Sequence, residues 1–187
     1  QVVRNPPPAR GNVSGEDAPL ILTAQLPRDL HARFTALRTA HFPPERNYLE
    51  AHVTLFHALP AMCEAEACSV LKRMAAEFAP VPGQVEGLMS LGRGTAIKLS
   101  APAMLDLRGI IADHFHGLLT QQDQQRPRLH VTIQNKVTGK EAKALQAQLA
   151  GTIAPAPFAF RGLELFRCRG GPWERVRDFA FRGTAAP

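Results

Sequence analysis

The chain has 187 residues and a formal net charge of +6, with 45% hydrophobic residues. This composition is typical of a folded globular domain, and no apolar run reaches the roughly 18 residues that a membrane-spanning helix needs. The positive charge favours an anionic partner such as RNA or a nucleotide phosphate. Because the three cysteines, Cys63, Cys68 and Cys168, form no paired framework, we expect a reducing, cytoplasmic location.

The predicted elements follow the chain in two rounds of one order. Residues 1–19 are rich in proline, glycine and polar residues, which predicts a disordered tail. The first round is a strand over 20–26, a helix from about 29 that ends before Pro43, a strand over 51–55, a helix over 64–78 and a strand over 84–91. The second is a strand over 95–100, a helix over 104–119, a strand over 129–133, a helix that follows a Thr138–Glu141 capping box to about 149, and closing strands over 158–166 and 173–181.

A four-residue pattern occurs in the third element of each round. His52-Val53-Thr54-Leu55 is repeated 78 positions later as His130-Val131-Thr132-Ile133. Composition alone predicts roughly 0.4 His-x-Thr triplets in the chain, so two copies with apolar flanks are a specific signal. Residues two apart in a strand point to the same face. Each copy therefore places an imidazole and a hydroxyl side by side.

The repeated order of elements predicts an α+β fold with internal duplication. We expect one bilobal domain over 20–183, with lobes of roughly 20–92 and 93–183 related by a pseudo-twofold axis. Two mainly antiparallel sheets would form a central cleft, with the helices outside and one motif strand contributed by each lobe.

Two imidazoles and two hydroxyls around one small anion are suited to acid–base chemistry on a phosphate. For a 2′,3′-cyclic phosphate, one histidine would deprotonate water and the other would protonate the leaving ribose oxygen. The predicted catalytic residues are His52 and His130, with Thr54 and Thr132 as donors to the non-bridging oxygens. Which histidine is the acid is left open. Because no third zinc ligand has suitable spacing, we expect no metal and no cofactor.

Six further residues are candidates for substrate binding: Phe56, Gln134, Lys136, Arg46, Tyr48 and Arg93. Strand alternation would turn Phe56 towards a base and Gln134 towards a hydrogen-bonding group, with Lys136 at the rim near phosphate. Packing in the core is the alternative for Phe56. The last three lie in loops, where they would supply stacking or phosphate contact or serve as ordinary surface residues.

The paired motifs resemble those of the 2H phosphoesterase superfamily. The segments HVTLFHALP over 52–60 and HVTIQNKV over 130–137, with LGRG over 91–94, are similar to its bacterial 2′-5′ RNA ligase and cyclic phosphodiesterase-like branch. The resemblance covers about residues 19–183. It implies a bilobal fold and phosphodiester chemistry without a cofactor, with acid–base roles for the motif histidines and phosphate binding by the motif threonines.

The expected function is that of a metal-independent phosphodiesterase acting on 2′,3′-cyclic phosphates or 2′-5′ linkages. Its expected partners are RNA ends or small nucleotide cyclic phosphates, with no membrane and with the chain as a monomer. Three alternatives stay open: an RNA 2′-5′ ligase of the same fold, a non-catalytic module that binds RNA or nucleotides, and a metal-dependent hydrolase.

Overall fold

The computed structural model describes residues 17–187, and this part of the chain forms eight β-strands and five α-helices. The strands are β1 Leu20–Gln25, β2 Val53–Leu59, β3 Val81–Ser90, β4 Thr95–Ser100, β5 His130–Gln134, β6 Ala156–Phe160, β7 Gly162–Arg167 and β8 Glu174–Ala180. The helices are α1 Arg28–His41, α2 Glu64–Glu77, α3 Pro102–His114, α4 Gln121–Gln124 and α5 Gly139–Leu149.

The start of the folded domain lies slightly earlier than the sequence predicts. Residues 1–16 of the predicted tail lie outside the described residues. Ala18 is buried, and the carbonyl of Pro19 accepts a hydrogen bond from the amide of Cys168 at 2.9 Å. These two residues therefore belong to the packed domain rather than to a disordered tail.

Two four-stranded antiparallel sheets confirm the α+β class. The strand orders are β2-β1-β7-β8 and β5-β4-β3-β6. In both sheets the strand that carries a motif is an edge strand, and β2 contacts β5. The two copies of the motif therefore lie where the sheets meet.

The sheets do not follow the predicted lobes of 20–92 and 93–183. Strand β3 joins the second sheet, whereas β7 and β8 return to pair with β1 in the first. The predicted strand over 158–166 is two strands, which separate at Arg161 and belong to different sheets. A Cβ on Gly162 would lie 2.3 Å from the carbonyl oxygen of Phe179, so this crossing needs glycine. The strand-like sequence continues through the crossing and gives no other sign of it.

The helices tie the two sheets together. Helix α2 packs on β7 and β8, α3 and α5 pack against strands of the second sheet, and α1 reaches across from β1 to contact β5. Phe34 of α1, Phe115 after α3 and Phe160 of β6 are fully buried in the shared core. Burying one such side chain contributes about 1.5–3 kcal/mol to stability. Because this core contains residues of both sheets, it holds the two motif strands in place.

A buried carboxylate covers the free edge of β2. Asp123, in α4, accepts hydrogen bonds from the amides of His57 and Ala58, both at 2.9 Å, and from the His57 imidazole at 3.3 Å. Arg108 donates to the Asp123 carbonyl at 2.6 Å. Burial would raise the pKa of Asp123, but the hydrogen bonds from His57 and Ala58 outweigh it and hold that pKa below its usual value.

We expect Asp123→Asn to destabilise the domain by about 1–3 kcal/mol at neutral pH, since an amide leaves part of this edge unsatisfied. A carboxyl with a depressed folded pKa stabilises the fold above its unfolded pKa, and the effect is lost as pH falls through the folded pKa. Urea unfolding at pH 7 and across acidic pH measures both effects. The difference in free energy of unfolding between wild type and variant should become smaller in acid. A difference that is constant across pH would contradict this role of the Asp123 carboxylate.

Candidate functional site

The two motif histidines are held by the same backbone contact. The Nδ1–H of His52 donates to the carbonyl of Glu50 at 2.8 Å, and that of His130 donates to the carbonyl of Arg128 at 2.6 Å. In each case the acceptor lies two residues before the histidine. Because a carbonyl can only accept, Nδ1 carries the hydrogen, and Nε2 is free for chemistry.

The motif residues lie together at the contact between the sheets. His130 is close enough for its charged form to lower the pKa of His52. Thr54 and Thr132 are half-buried. Within residues 17–187, neither threonine hydroxyl is hydrogen-bonded to another protein group. The site thus presents two imidazole nitrogens and two free hydroxyls, which is an arrangement for binding and protonating a small anion.

His52 has a less polar environment than its position at a strand end suggests. The indole ring of Trp173 lies 4.7 Å from its imidazole, measured between ring centroids. Burial lowers the pKa of His52 to about 4; the charges of Arg38, His130 and His57 lower it too, against the hydrogen bond to Glu50. His52 is therefore neutral at physiological pH.

We expect Trp173→Ala to raise the pKa of His52 towards its ordinary value, because the imidazole then contacts water. Histidine Hε1 chemical shifts followed by NMR against pH give this pKa directly. Tyr48→Ala is the matched control, since it removes a nearby aromatic that has no ring contact with His52. Equal His52 titration curves in wild type and Trp173→Ala would contradict the effect of burial.

A bulge in β2 corrects the predicted role of Phe56. Strand β1 pairs Thr54 and Phe56 with two consecutive residues, which leaves Leu55 without a partner. A bulge reverses the alternation of side chains beyond it. Phe56 is accordingly fully buried, with the Arg108 guanidinium 4.3 Å from its ring centroid. It packs in the core and does not stack on a base.

Strand β5 has a bulge at the equivalent place, and it corrects the role of Gln134. Here Ile133 is the extra residue between Thr132 and Gln134. Gln134 is only 6% exposed, and its side-chain oxygen accepts a hydrogen bond from Thr95 at 3.0 Å. Gln146 donates to the same threonine at 3.2 Å. Gln134 therefore belongs to a buried polar cluster.

A cavity of about 410 Å³ opens beside His52. Its aromatic wall consists of Tyr48, Phe166 and Trp173. Tyr48 is 60% exposed and its hydroxyl donates to the carbonyl of Glu45, so the ring is held at the surface; its predicted stacking role stays a prediction. Aromatic walls of this kind suit a flat ring such as a nucleobase.

The three predicted cationic contacts form a group of their own at the far end of β5. Arg46 donates to the carbonyl of Lys136 at 3.3 Å, and Arg93 donates to the carbonyl of Val137 at 3.1 Å. Lys136 has a φ of 59° and is exposed. None of the three lines the cavity beside His52. Their contact with phosphate stays a prediction.

A buried arginine, Arg38 of α1, is a site residue that the sequence reasoning missed. Its guanidinium donates to the carbonyl of Thr132 at 3.0 Å and to the side chain of Asn47 at 2.9 Å, and lies 4.0 Å from the ring centroid of Phe42. Burial lowers the pKa of Arg38 to about 10, so it stays charged at neutral pH. The available signal was its position four residues after Phe34, on the buried side of the helix.

The described residues also bear on metal and membrane binding. Among residues 17–187, no group of three or more His, Cys, Asp or Glu side chains is placed to hold a metal ion. In the described part of the chain, no helix combines the length and hydrophobicity needed to cross a bilayer.

Comparison with known proteins gives one family and several similar structures. Residues 26–172 match the model of the 2′-5′ RNA ligase superfamily. No functionally curated protein matches the sequence. The structure of TT0787 from Thermus thermophilus is 18% identical, with a TM-score of 0.59, over 89% of this chain and 100% of that one.

Two structures of E. coli LigT are similar to the same extent. The complex with 3′-AMP is 17% identical, with a TM-score of 0.58, over 88% of this chain and 98% of that one. The complex with NADP+ is 18% identical, with a TM-score of 0.57, over 91% of this chain and 100% of that one. At these identities the likeness concerns the fold, and it agrees with the two-sheet architecture described above.

Proposed function

Because the chain belongs to the 2′-5′ RNA ligase superfamily of 2H phosphoesterases, we propose that it hydrolyses 2′,3′-cyclic phosphates or 2′-5′ linkages of RNA or nucleotides. The observation that carries this proposal is the pair of histidines with equivalent carbonyl contacts and free Nε2 atoms. Two such groups on opposite sides of a phosphorus atom can act as base and acid in one displacement.

His52 is the better candidate for the general base, because its lowered pKa keeps the imidazole neutral. Its Nε2 accepts a proton from water as the water oxygen bonds to phosphorus. His130, as the imidazolium, donates its Nε2 proton to the ribose oxygen as the phosphorus–oxygen bond breaks. The product is a phosphate monoester, and a proton passes from His52 to His130 through solvent to restore the starting state.

The remaining site residues position the substrate. The free hydroxyls of Thr54 and Thr132 donate to the non-bridging oxygens, where charge builds up in the transition state. The nucleoside lies in the cavity beside His52, with its base against Trp173 or Tyr48. The complexes of E. coli LigT with 3′-AMP and NADP+ support a nucleotide as the ligand of this fold.

Product analysis with 2′,3′-cyclic AMP in excess EDTA tests the proposal. We expect a monophosphate product, formed at the same rate with and without chelator. Loss of turnover in EDTA, with recovery on adding a divalent metal, would favour a metal-dependent hydrolase instead. The isomer formed, 2′- or 3′-phosphate, identifies the oxygen that His130 protonates.

Ligation is the second candidate, because the family is named for it and the same residues can run the reaction in reverse. An RNA with a 2′,3′-cyclic phosphate end and an RNA with a 5′-hydroxyl end, incubated together, would give a joined product. A joined product with little hydrolysis would favour the ligase. Tight binding without either product would favour a binding module. We also propose a cytoplasmic setting, which the three free cysteines support.

A further inference from the structure

A second cavity is lined by Leu129 and Arg128, the residues that precede His130, at the place equivalent to the cavity beside His52. It has a volume of about 410 Å³ and runs between the end of β4, the start of α3 and the loop before β5. The cavity beside His52 is likewise bordered by the end of β1, the start of α1 and the loop before β2. We call the second cavity the basic groove, after Lys98, Arg126 and Arg128, which line it.

The two cavities differ in charge although the fold places them alike. In the cavity beside His52, Arg175 pairs with Glu164 and Asp178, and His31 pairs with Glu50. In the basic groove, the three cations are exposed, and none of them forms an ion pair with any described residue. Glu86 is the one carboxylate among the described residues that line this groove. The basic groove is therefore the more attractive to an anion.

The cations of the basic groove lead away from the reaction centre. Lys98 lies directly opposite His130 in the pairing of β4 with β5, so the two side chains share a face of the sheet. Arg126 and Arg128 lie four and two residues before His130, in the loop that leads into β5. The groove also meets the N-terminus of α3, whose first turn has no acidic residue and no side-chain cap. A chain of phosphates that starts at His130 would meet positive charge along this path.

We propose that the basic groove binds the sugar–phosphate backbone of an RNA chain that carries the reacting phosphate, so that oligonucleotides are preferred over mononucleotides. The inference rests on the proposed function for the position of the reacting phosphate. Phosphate contacts by Arg and Lys depend on charge and not on base identity. The groove therefore gives a preference for chain length without a preference for sequence.

RNA binding by an inactive variant tests the groove independently of catalysis. In a His52→Ala background, the binding of a fluorescent ten-nucleotide RNA ending in a 2′,3′-cyclic phosphate is measured by anisotropy across salt concentrations. Arg126→Gln with Arg128→Gln is the test variant. It keeps Lys98, which lies opposite His130, and it keeps the backbone carbonyl of residue 128, which accepts the hydrogen bond from His130. Lys72→Gln with Arg73→Gln is the matched control, which removes the same charge from the exposed face of α2.

We expect the test variant to bind RNA at least about tenfold more weakly at low salt. Its slope of log K against log salt should become shallower by about 1.4, which is about 0.7 for each lost phosphate contact. The control should match its parent in both measurements. The parent and both variants should unfold at the same temperature, since the substituted side chains are exposed. Equal affinity and slope in the test variant and the control would overturn the proposal.

Turnover in the active background gives the second measurement. The ratio of kcat/KM for the oligonucleotide to kcat/KM for 2′,3′-cyclic AMP should fall about tenfold or more in the test variant and stay constant in the control. An equal fall in kcat/KM for both substrates would place these arginines at the reaction centre and would overturn the proposal that the groove binds the RNA chain. If the wild type turns over neither substrate, the proposed function fails, while the binding experiment still decides whether the groove holds RNA.

Discussion

Replacing either motif histidine with alanine is expected to lower kcat on 2′,3′-cyclic AMP by about 10²–10⁴-fold, the usual contribution of one general acid or base. The two variants should be about equally inactive, because each step needs both a proton acceptor and a proton donor. Single-turnover and steady-state rates of His52→Ala and His130→Ala measure the effect. His116→Ala is the matched control, since its imidazole is exposed in the turn after α3 and lies outside the site.

The pH dependence separates the roles of the two histidines. A base works in its neutral form, so kcat/KM should stay high as pH falls from 7 and decline only as pH passes through about 4, the pKa of His52. That acidic limb should be absent from the residual activity of His52→Ala. Activity that declines already near pH 6.5 and keeps its limb in His52→Ala would contradict the assignment of His52 as the base.

The placement of the motif side chains could be predicted from the sequence because it depends on local geometry. A histidine and a threonine two apart in a strand share a face wherever that strand is placed. The same rule failed at Phe56 and Gln134, one step beyond the threonine, since it assumes regular pairing. Both bulges arise from pairing with a neighbouring strand, β1 or β4, and a single strand's sequence holds no record of its partner's register.

Long-range connections account for the remaining differences. The return of β7 and β8 to the first sheet depends on which edge of β1 is free, and only Gly162 marks the crossing. Trp173 contacts His52 across more than a hundred residues of sequence. The spacing of Arg38 from Phe34 places it on the buried side of α1, but arginine is ordinarily a solvent-facing residue, and its burial is decided by packing against β5.

Arg38→Met is expected to lower kcat by about 10–100-fold, because a displacement of reacting groups by about 1 Å can lower the rate by about 100-fold. The guanidinium holds the carbonyl of Thr132, so its loss frees the end of β5 that carries this proposed phosphate donor. The change should also destabilise the fold by about 1.5–3 kcal/mol, because buried hydrogen bonds from a charged donor are lost. Kinetics and urea unfolding on the same preparation measure both effects.

A pH profile distinguishes positioning of the site from general loss of stability. The Arg38 charge helps to lower the pKa of His52, so the acidic limb of kcat/KM should move upward in Arg38→Met. Arg38→Lys keeps the charge without the paired contacts; its limb should stay near that of wild type while kcat remains low. Arg33→Met, on the exposed side of the same helix with one backbone contact, should change neither measurement.

If Arg38→Met loses stability but keeps the wild-type kcat and pH profile, Arg38 supports the fold alone. The combination expected here would instead show that one helix from the first half of the chain sets the position of Thr132 and the proton affinity of His52 together.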